Sequence, residues 1–449
     1  MRASLPLILL ATFAGCVSVD ENVRVAREAI LAGTPATAVG WGENVATDSV
    51  YSKNLGKVEA GRLALLSGDS SRAEFWFRAA VDSAVDRKEK DPDIKLGDVG
   101  NTALASTVTD DRTREYYLAP YEINLALTYG ILAELMNGKR EDALVDARLS
   151  VYIQDSLAKT YGEDMKKAAA TDDAKATSTG EDICEDQSAA LREMMASTRN
   201  SWENPVLWWL TGALFEADGD LEMAWQSYRK AAACRPDNPV FALDAARADK
   251  GKGLATPAPD KAKLLVVYEE GLVPQRQSLK IPVPIYTAMS IDIPAYGDKS
   301  AYSPSAVAIS GLTNLVAAAP ALDIRALAAR DLNERLPGVI IRNITRAAVQ
   351  AGAQAAVNAS GNEYAQIAVL AVNAVASAIR RADTRSWATL PDGQQVWSEG
   401  AMAPGDYRIG VSVNGRTVPV PVTLKSGDVK LLWVVDSGQI FRADVVSLK

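Results

Sequence analysis

Three short runs carry groups that could together transfer an acyl chain. Ser156-Leu157-Ala158-Lys159 is a Ser-x-x-Lys pattern, in which an amine near a serine hydroxyl can serve as its base. Ser360-Gly361-Asn362 and Lys425-Ser426-Gly427 follow it in the chain and bring a further hydroxyl, an amide and a second amine. Histidine is absent from all 449 residues. That removes Ser-His-Asp and Cys-His catalysis, histidine-ligated metals and imidazole proton transfer in one step. There is no Gly-x-Ser-x-Gly elbow and no phosphate-cradling glycine loop. Glu181, Asp182, Glu185 and Asp186 form an acidic cluster. They lack the alternating ligands and central glycine of a calcium loop, and read as a solvated charge run. No metal and no cofactor is expected. The net charge of −8 argues against nucleic acid, which calls for a basic face.

The order of the serine and lysine runs resembles that of penicillin-binding enzymes, but their settings differ. There the nucleophile opens a buried helix, whereas Ser156 is expected past the end of a helix, at the edge of a polar insert. The last run should line the site along a strand, whereas Lys425 falls at a hairpin turn. An envelope hydrolase or transferase acting on peptidoglycan is therefore the alternative reading, and a protein without enzymatic activity the main one.

The N-terminus reads as an address. Arg2 precedes a short apolar run, Leu5 to Phe13, too short to stay in a bilayer as a spanning helix. Phe13-Ala14-Gly15-Cys16 resembles a bacterial lipobox, with Phe13 where leucine is usual. Residues 1–15 are then a signal peptide, and acyl chains such as palmitate on Cys16 would anchor the protein stably. Val17 is not an aspartate, and by resemblance to sorted lipoproteins this implies the outer membrane, facing the periplasm.

The elements that must position any side chain centre on Pro205–Pro236. Trp208, Gly212, Phe215, Gly219, Ala224, Tyr228, Ala231 and Pro236 fall at the offsets of a tetratricopeptide unit, two antiparallel helices with a period of ~34 residues. Gly212 and Ala224 are small so that the helices approach, the aromatic residues fill the space, Gly219 turns the chain and Pro236 stops it. Gly61, Gly68, Ala73, Phe77 and Ala80 repeat the spacing of Gly212, Gly219, Ala224, Tyr228 and Ala231. Tyr121–Tyr152 is a weaker unit, turning at Gly138, with Ile131 where a glycine is expected. Inserts at 86–114 and 155–201 keep the units from forming a tandem array. Cys184 and Cys234, in an oxidising periplasm, would form a disulfide or remain two separate buried thiols.

The fold class is α+β. Residues 16–50 form a tether with a short helix at 20–31. Residues 51–248 form a TPR-like helical solenoid with insertions, and 249–261 a linker. Residues 262–449 form an α+β domain that ends in an antiparallel β-meander. Its strands are placed at 264–268, 277–285, 305–310, 384–390, 394–399, 406–413, 417–424 and 429–435. Asp323 caps a helix that Pro337-Gly338 interrupts, and further helices cover 342–358 and 363–381.

Leu118–Gln154, Tyr268–Pro284, Asp323–Arg346 and Asp383–Pro391 (DTRSWATLP) together resemble a family of poorly characterised bacterial envelope lipoproteins with tetratricopeptide-like repeats. The genes of that family often neighbour lipoprotein activators of peptidoglycan synthases, which implies a link to cell-wall assembly. No catalytic residues carry over. Pro274, Arg276, Asp383, Arg385 and Trp387 match its motif positions, without defined roles. The expected function is a periplasmic scaffold that holds a partner protein or peptide in its helical groove. Trp209, Tyr228, Arg276 and Trp387 are the candidate contacts.

Overall fold

The computed structural model describes residues 19–90, 111–170, 178–249, 260–283, 289–312, 319–359 and 381–449. Cys16, most of the linker, Ser360–Asn362 and nearly all of the helix expected at 363–381 lie outside the described residues. Among the described residues ten α-helices come first. They are α1 Val19–Leu31, α2 Val39–Asp48, α3 Lys53–Ser67, α4 Ser70–Lys90, α5 Pro120–Met136, α6 Arg140–Ala170, α7 Ser178–Leu191, α8 Pro205–Asp218, α9 Leu221–Cys234 and α10 Pro239–Asp249. Five strands follow, β1 Ala262–Glu270, β2 Arg276–Val283, β3 Met289–Tyr296, β4 Val307–Ser310 and β5 Ala319–Asp323, and then the long α11 Ile324–Ala359. The chain ends with β6 Gly393–Met402, β7 Gly405–Val413, β8 Arg416–Leu424, β9 Val429–Ser437 and β10 Ile440–Ser447. The class is α+β.

Three helix pairs, α3 with α4, α5 with α6 and α8 with α9, are joined by tight turns. Gly68, Gly138 and Gly219 turn them with φ of 90°, 73° and 92°, in the left-handed region that other residues enter at a cost. The starts are capped locally. Asn204 accepts from the Leu207 N–H ahead of α8, and Asp220 from the Met223 N–H ahead of α9. Two pairs close on the same contact. A Cβ on Gly61 would lie 2.8 Å from the Phe77 ring, and one on Gly212 would lie 2.8 Å from the Tyr228 ring. The α5–α6 pair carries Ile131 and Ala147 at the matching positions, both buried, so the bulk sits on the first helix instead of the second. Gly212→Ala should therefore lower stability by about 1–3 kcal/mol, because Tyr228 is wholly buried and tied to Glu216 and cannot swing away. A urea midpoint unchanged from wild type would refute this close contact.

Two expectations in the helical half are corrected. Residues 19–48 hold the expected short helix, as α1, but are not a tether: α2 packs on α3, where Gly42 meets the backbone of Ala60 and Gly56 that of Ala46. The polar insert after Tyr152 is largely helix, since α6 runs on to Ala170 and α7 follows, packed against α11. Ser156 and Lys159 thus stand within a helix.

The strands are not a meander. One sheet has the order β10-β9-β1-β6-β5, with β1 parallel to β9 and antiparallel to β6. A second has the order β4-β7-β8, and β2 pairs with β3 apart from both. The reason lies in β1, which is buried along its whole length and needs a neighbour on each edge and a layer on each face. Leu265 and Val267, with Leu431, Trp433 and Val435 of β9, face the helices. Leu264, Val266 and Tyr268, with Leu432 and Val434, face the second sheet and its Ile409, Val411, Val420 and Val422. The order of layers is helices, sheet, sheet, and the core under the helices runs through both halves of the chain.

Residues 384–390 form no strand. Asp323 does cap α11, accepting from the Ala326 N–H at 2.8 Å. Pro337 does not interrupt that helix. Leu332, Leu336, Ile340 and Ile344 lie one turn apart on a buried face that continues past the proline, so packing holds the helix through the missing hydrogen bond.

Candidate functional site

A stacked-helix protein offers a ligand the face made by the first helix of each pair. Here that face is closed. Asn54–Leu66 of α3 apart from the half-buried Lys57, Pro120–Leu135 of α5 and Pro205–Ala217 of α8 are buried throughout. The β10-β9-β1-β6-β5 sheet covers part of it, and the irregular segment Ala382–Leu390 lies along another part as a strap.

The strap has no neighbouring strand, so its backbone groups are met by side chains of successive helices. Glu59 of α3 accepts the Ala388 N–H at 2.7 Å and the Thr389 hydroxyl. Glu122 of α5 accepts the Trp387 N–H at 2.9 Å. Two of its carbonyls go to cations: Arg27 of α1 donates to Ala388 O at 2.6 Å, and Arg62 of α3 to Thr389 O at 3.4 Å. Arg385 pairs with Asp383 at 2.7 Å and reaches back to Tyr51 O at 2.9 Å. The Trp387 ring sits 6.0 Å from those of Phe77 and Tyr129, and its indole N–H donates to Thr389. Below the strap, Glu269 of β1 takes Arg62 at 2.6 Å, the Tyr129 hydroxyl at 3.1 Å and the Gln394 amide at 3.2 Å.

Burial dominates the electrostatics. It pushes the Glu59 carboxyl up to about 7, against the opposing pull of Thr389 and the Ala388 N–H. It raises Glu122 as well, although Ala119, Trp387 and Tyr116 all donate to that carboxylate. Glu122 has two tasks, since its bond to the Ala119 N–H at 2.8 Å also closes the start of α5. In the sequence Glu59 shows only as the one acid of α3 and Glu122 as one of two in the mostly apolar α5, which is a weak signal.

Trp209, Tyr228 and Trp387 are core and Arg276 is half-buried with its guanidinium engaged inside the chain, so their expected partner-facing role is corrected. Trp209 is wholly buried and donates to Asp244 at 2.8 Å. Tyr228 is wholly buried and donates to Glu216 at 2.6 Å. Arg276 pairs with Asp331 at 3.1 Å and bonds the Tyr296 hydroxyl at 3.1 Å, under cover of the β2-β3 hairpin. Trp387 belongs to the strap. The sheet and strap supply the cover that an open solenoid lacks.

Of the serine and lysine runs, the first and the last lie among the described residues. Lys159 and Lys425 are exposed, the latter beside the β8–β9 turn at Gly427. A different contact exists: Lys57 of α3 donates to the Ser83 hydroxyl of α4, and burial lowers the Lys57 amine. Ser83 in turn donates to Ala79 O at 2.9 Å. It stands inside α4, where the neighbouring backbone N–H groups are used by the helix and cannot form an oxyanion hole.

Of the two readings for the cysteines, the structure has the one without a bridge. Cys184 on α7 and Cys234 on α9 are unbridged and pack against the core, and burial raises the Cys234 thiol well above its ordinary range. Among the described residues no group of acids or cysteines has a metal-binding arrangement, and no helix is long and apolar enough to cross a membrane. On the outside of the helical layer, Phe75 of α4 and Val145 and Tyr152 of α6 are each more than half exposed. No family model, no curated protein and no solved structure matches this chain.

Proposed function

We propose that the protein is a lipid-anchored scaffold on the periplasmic face of the outer membrane, without enzymatic activity of its own, serving envelope or cell-wall assembly. Its helical half is a TPR-like solenoid that is filled from within. The repeated contacts of Gly61 with Phe77 and Gly212 with Tyr228 support the repeat. The observation that carries the reading is the strap: carboxyl groups on the first helices of two pairs hold the backbone of an extended segment from the other half of the chain, much as stacked helix pairs take up a peptide. Because the chain itself occupies that face, the partner protein is assigned to the outer face of α4 and α6.

Two measurements test this. Cys16→Ser should move the protein from the membrane to the soluble fraction of the envelope; retention in the membrane would remove the lipid anchor from the reading. A photo-crosslinking residue at Phe75 or Tyr152 should capture a partner in intact cells that the same residue at exposed Arg408, on the far sheet, does not. Equal capture at all three positions, or none, would sink the outer-face scaffold.

A further inference from the structure

We propose that one ordered water molecule is built into the junction of α3, β6 and β9, held by Arg62 Nη1, Gln394 Oε1 and Trp433 Nε1. These three atoms are buried and have no hydrogen-bond partner in the protein. Arg62 and Gln394 are fully covered, and Trp433 is 1% exposed. Bare buried donors and acceptors are rare in folded proteins.

The three residues gather around Tyr129 and Glu269. The guanidinium of Arg62 lies 4.5 Å over the Tyr129 ring, and Trp433 meets the same ring edge-on with centroids 6.1 Å apart. Gln394 and the Tyr129 hydroxyl share the same oxygen of Glu269. Strand register sets Gln394 opposite Glu269 and Trp433 opposite Val267, on either side of β1. Both therefore flank the face that the helices cover.

Arg62 and Gln394 are held in place by their other hydrogen bonds, and Trp433 is enclosed in the core. Arg62 spends Nη2 on Glu269 and Nε on Thr389 O, which leaves Nη1 over. Flipping the Gln394 amide would set its oxygen against the Glu269 carboxylate, so its orientation is fixed. What remains is two donors and one acceptor. One water meets all three by accepting twice and donating once, the usual complement for a buried water. A cation is refused by the two N–H donors, and an anion by the Gln394 carbonyl and by Glu269. The water would join the helical layer to the sheet at the point where Arg62 also grips the strap.

The test is a high-resolution crystal structure of the intact protein with oxygen-17 magnetic relaxation dispersion in solution. A density peak within ~3.2 Å of all three atoms is expected. Gln394→Met, of similar length but without the carbonyl, should show one fewer long-lived water than wild type. An empty junction in the wild-type density, a direct Arg62–Gln394 bond, or an unchanged count in Gln394→Met would overturn the proposal. If the variant does not fold, the wild-type density decides alone.

Discussion

Arg62→Leu should cost the folded protein about 3–5 kcal/mol, which for most proteins is a large part of the whole stability. Arg62 and Glu269 are both fully buried, and their ion pair joins α3 to the central strand β1. Without the guanidinium, Glu269 keeps only the Tyr129 hydroxyl and the Gln394 amide, two neutral donors around a buried charge. The same change removes the hydrogen bond to Thr389 O and the cation above the Tyr129 ring. The loss measures an abandoned carboxylate more than the worth of the pair, because desolvating both ions already offsets most of their attraction. Hence Arg62→Leu combined with Glu269→Leu should recover much of what the single change loses. Arg62→Lys should rescue poorly, since a single ammonium cannot reach Glu269 and Thr389 O in one plane while stacking on Tyr129. Urea unfolding of the three variants decides the matter. A single variant within about 1 kcal/mol of wild type would mean that solvent reaches Glu269.

The helix pairs were legible because their signal is local. Glycine, turn glycine and aromatic residue recur within some 20 residues, and each can be read without knowing what packs outside. The sheet was not legible for the opposite reason. β1 pairs with β6 and β9, both more than a hundred residues away in the chain, and no turn residue announces such a pairing. Thr384–Leu390 shows the limit well. Its threonines and tryptophan have strand character, and strand propensity registers a side chain's fit to a half-buried surface. That surface is present, but it is made of helices, and the backbone is met by Glu59 and Glu122 in place of a neighbouring strand. The four expected contact residues failed on the same point. Trp209, Tyr228, Arg276 and Trp387 are large side chains able to bind something, and what they bind is the rest of this chain.

Stability should fall as pH rises from about 5 to about 8.5, the reverse of a protein held by carboxylate ion pairs alone. The cause is a set of acids whose protons the fold retains. Burial pushes Glu59 up to about 7, Glu134 to about 8 and Asp392 to about 6. In the unfolded chain these groups ionise near pH 4 to 4.5. Between that value and the folded one, the native state holds protons that the unfolded state has released. The stabilisation is therefore complete below about pH 4.5 and is lost as pH passes through the folded values. For Glu59 the interval corresponds to about 3 kcal/mol. At the acid end the slope reverses, because Asp244, with Lys263 and Arg247 beside it despite burial, sits below the ordinary range and must be protonated there at a cost. Maximum stability should then fall near pH 5.

Glu134 makes the prediction specific. It is 1% exposed, and after burial its largest push comes from Asp146 of α6. Glu74 and Asp82 of α4 and Asp142 of α6 add to the negative field at this junction, while Arg78 of α4 and Lys139 oppose it. One oxygen of Glu134 is held by Arg78, and the other has no hydrogen-bond partner, a fit place for a retained proton. Glu134→Gln keeps an acceptor for Arg78 and puts an amide N–H where that proton would be. The variant should match wild type near pH 5, exceed it near pH 8.5, and show a shallower slope between. Urea midpoints across that range measure all three. A wild-type midpoint that holds steady or climbs toward alkaline pH would show that these acids are ionised in the native protein, and that water reaches the places where the fold encloses them.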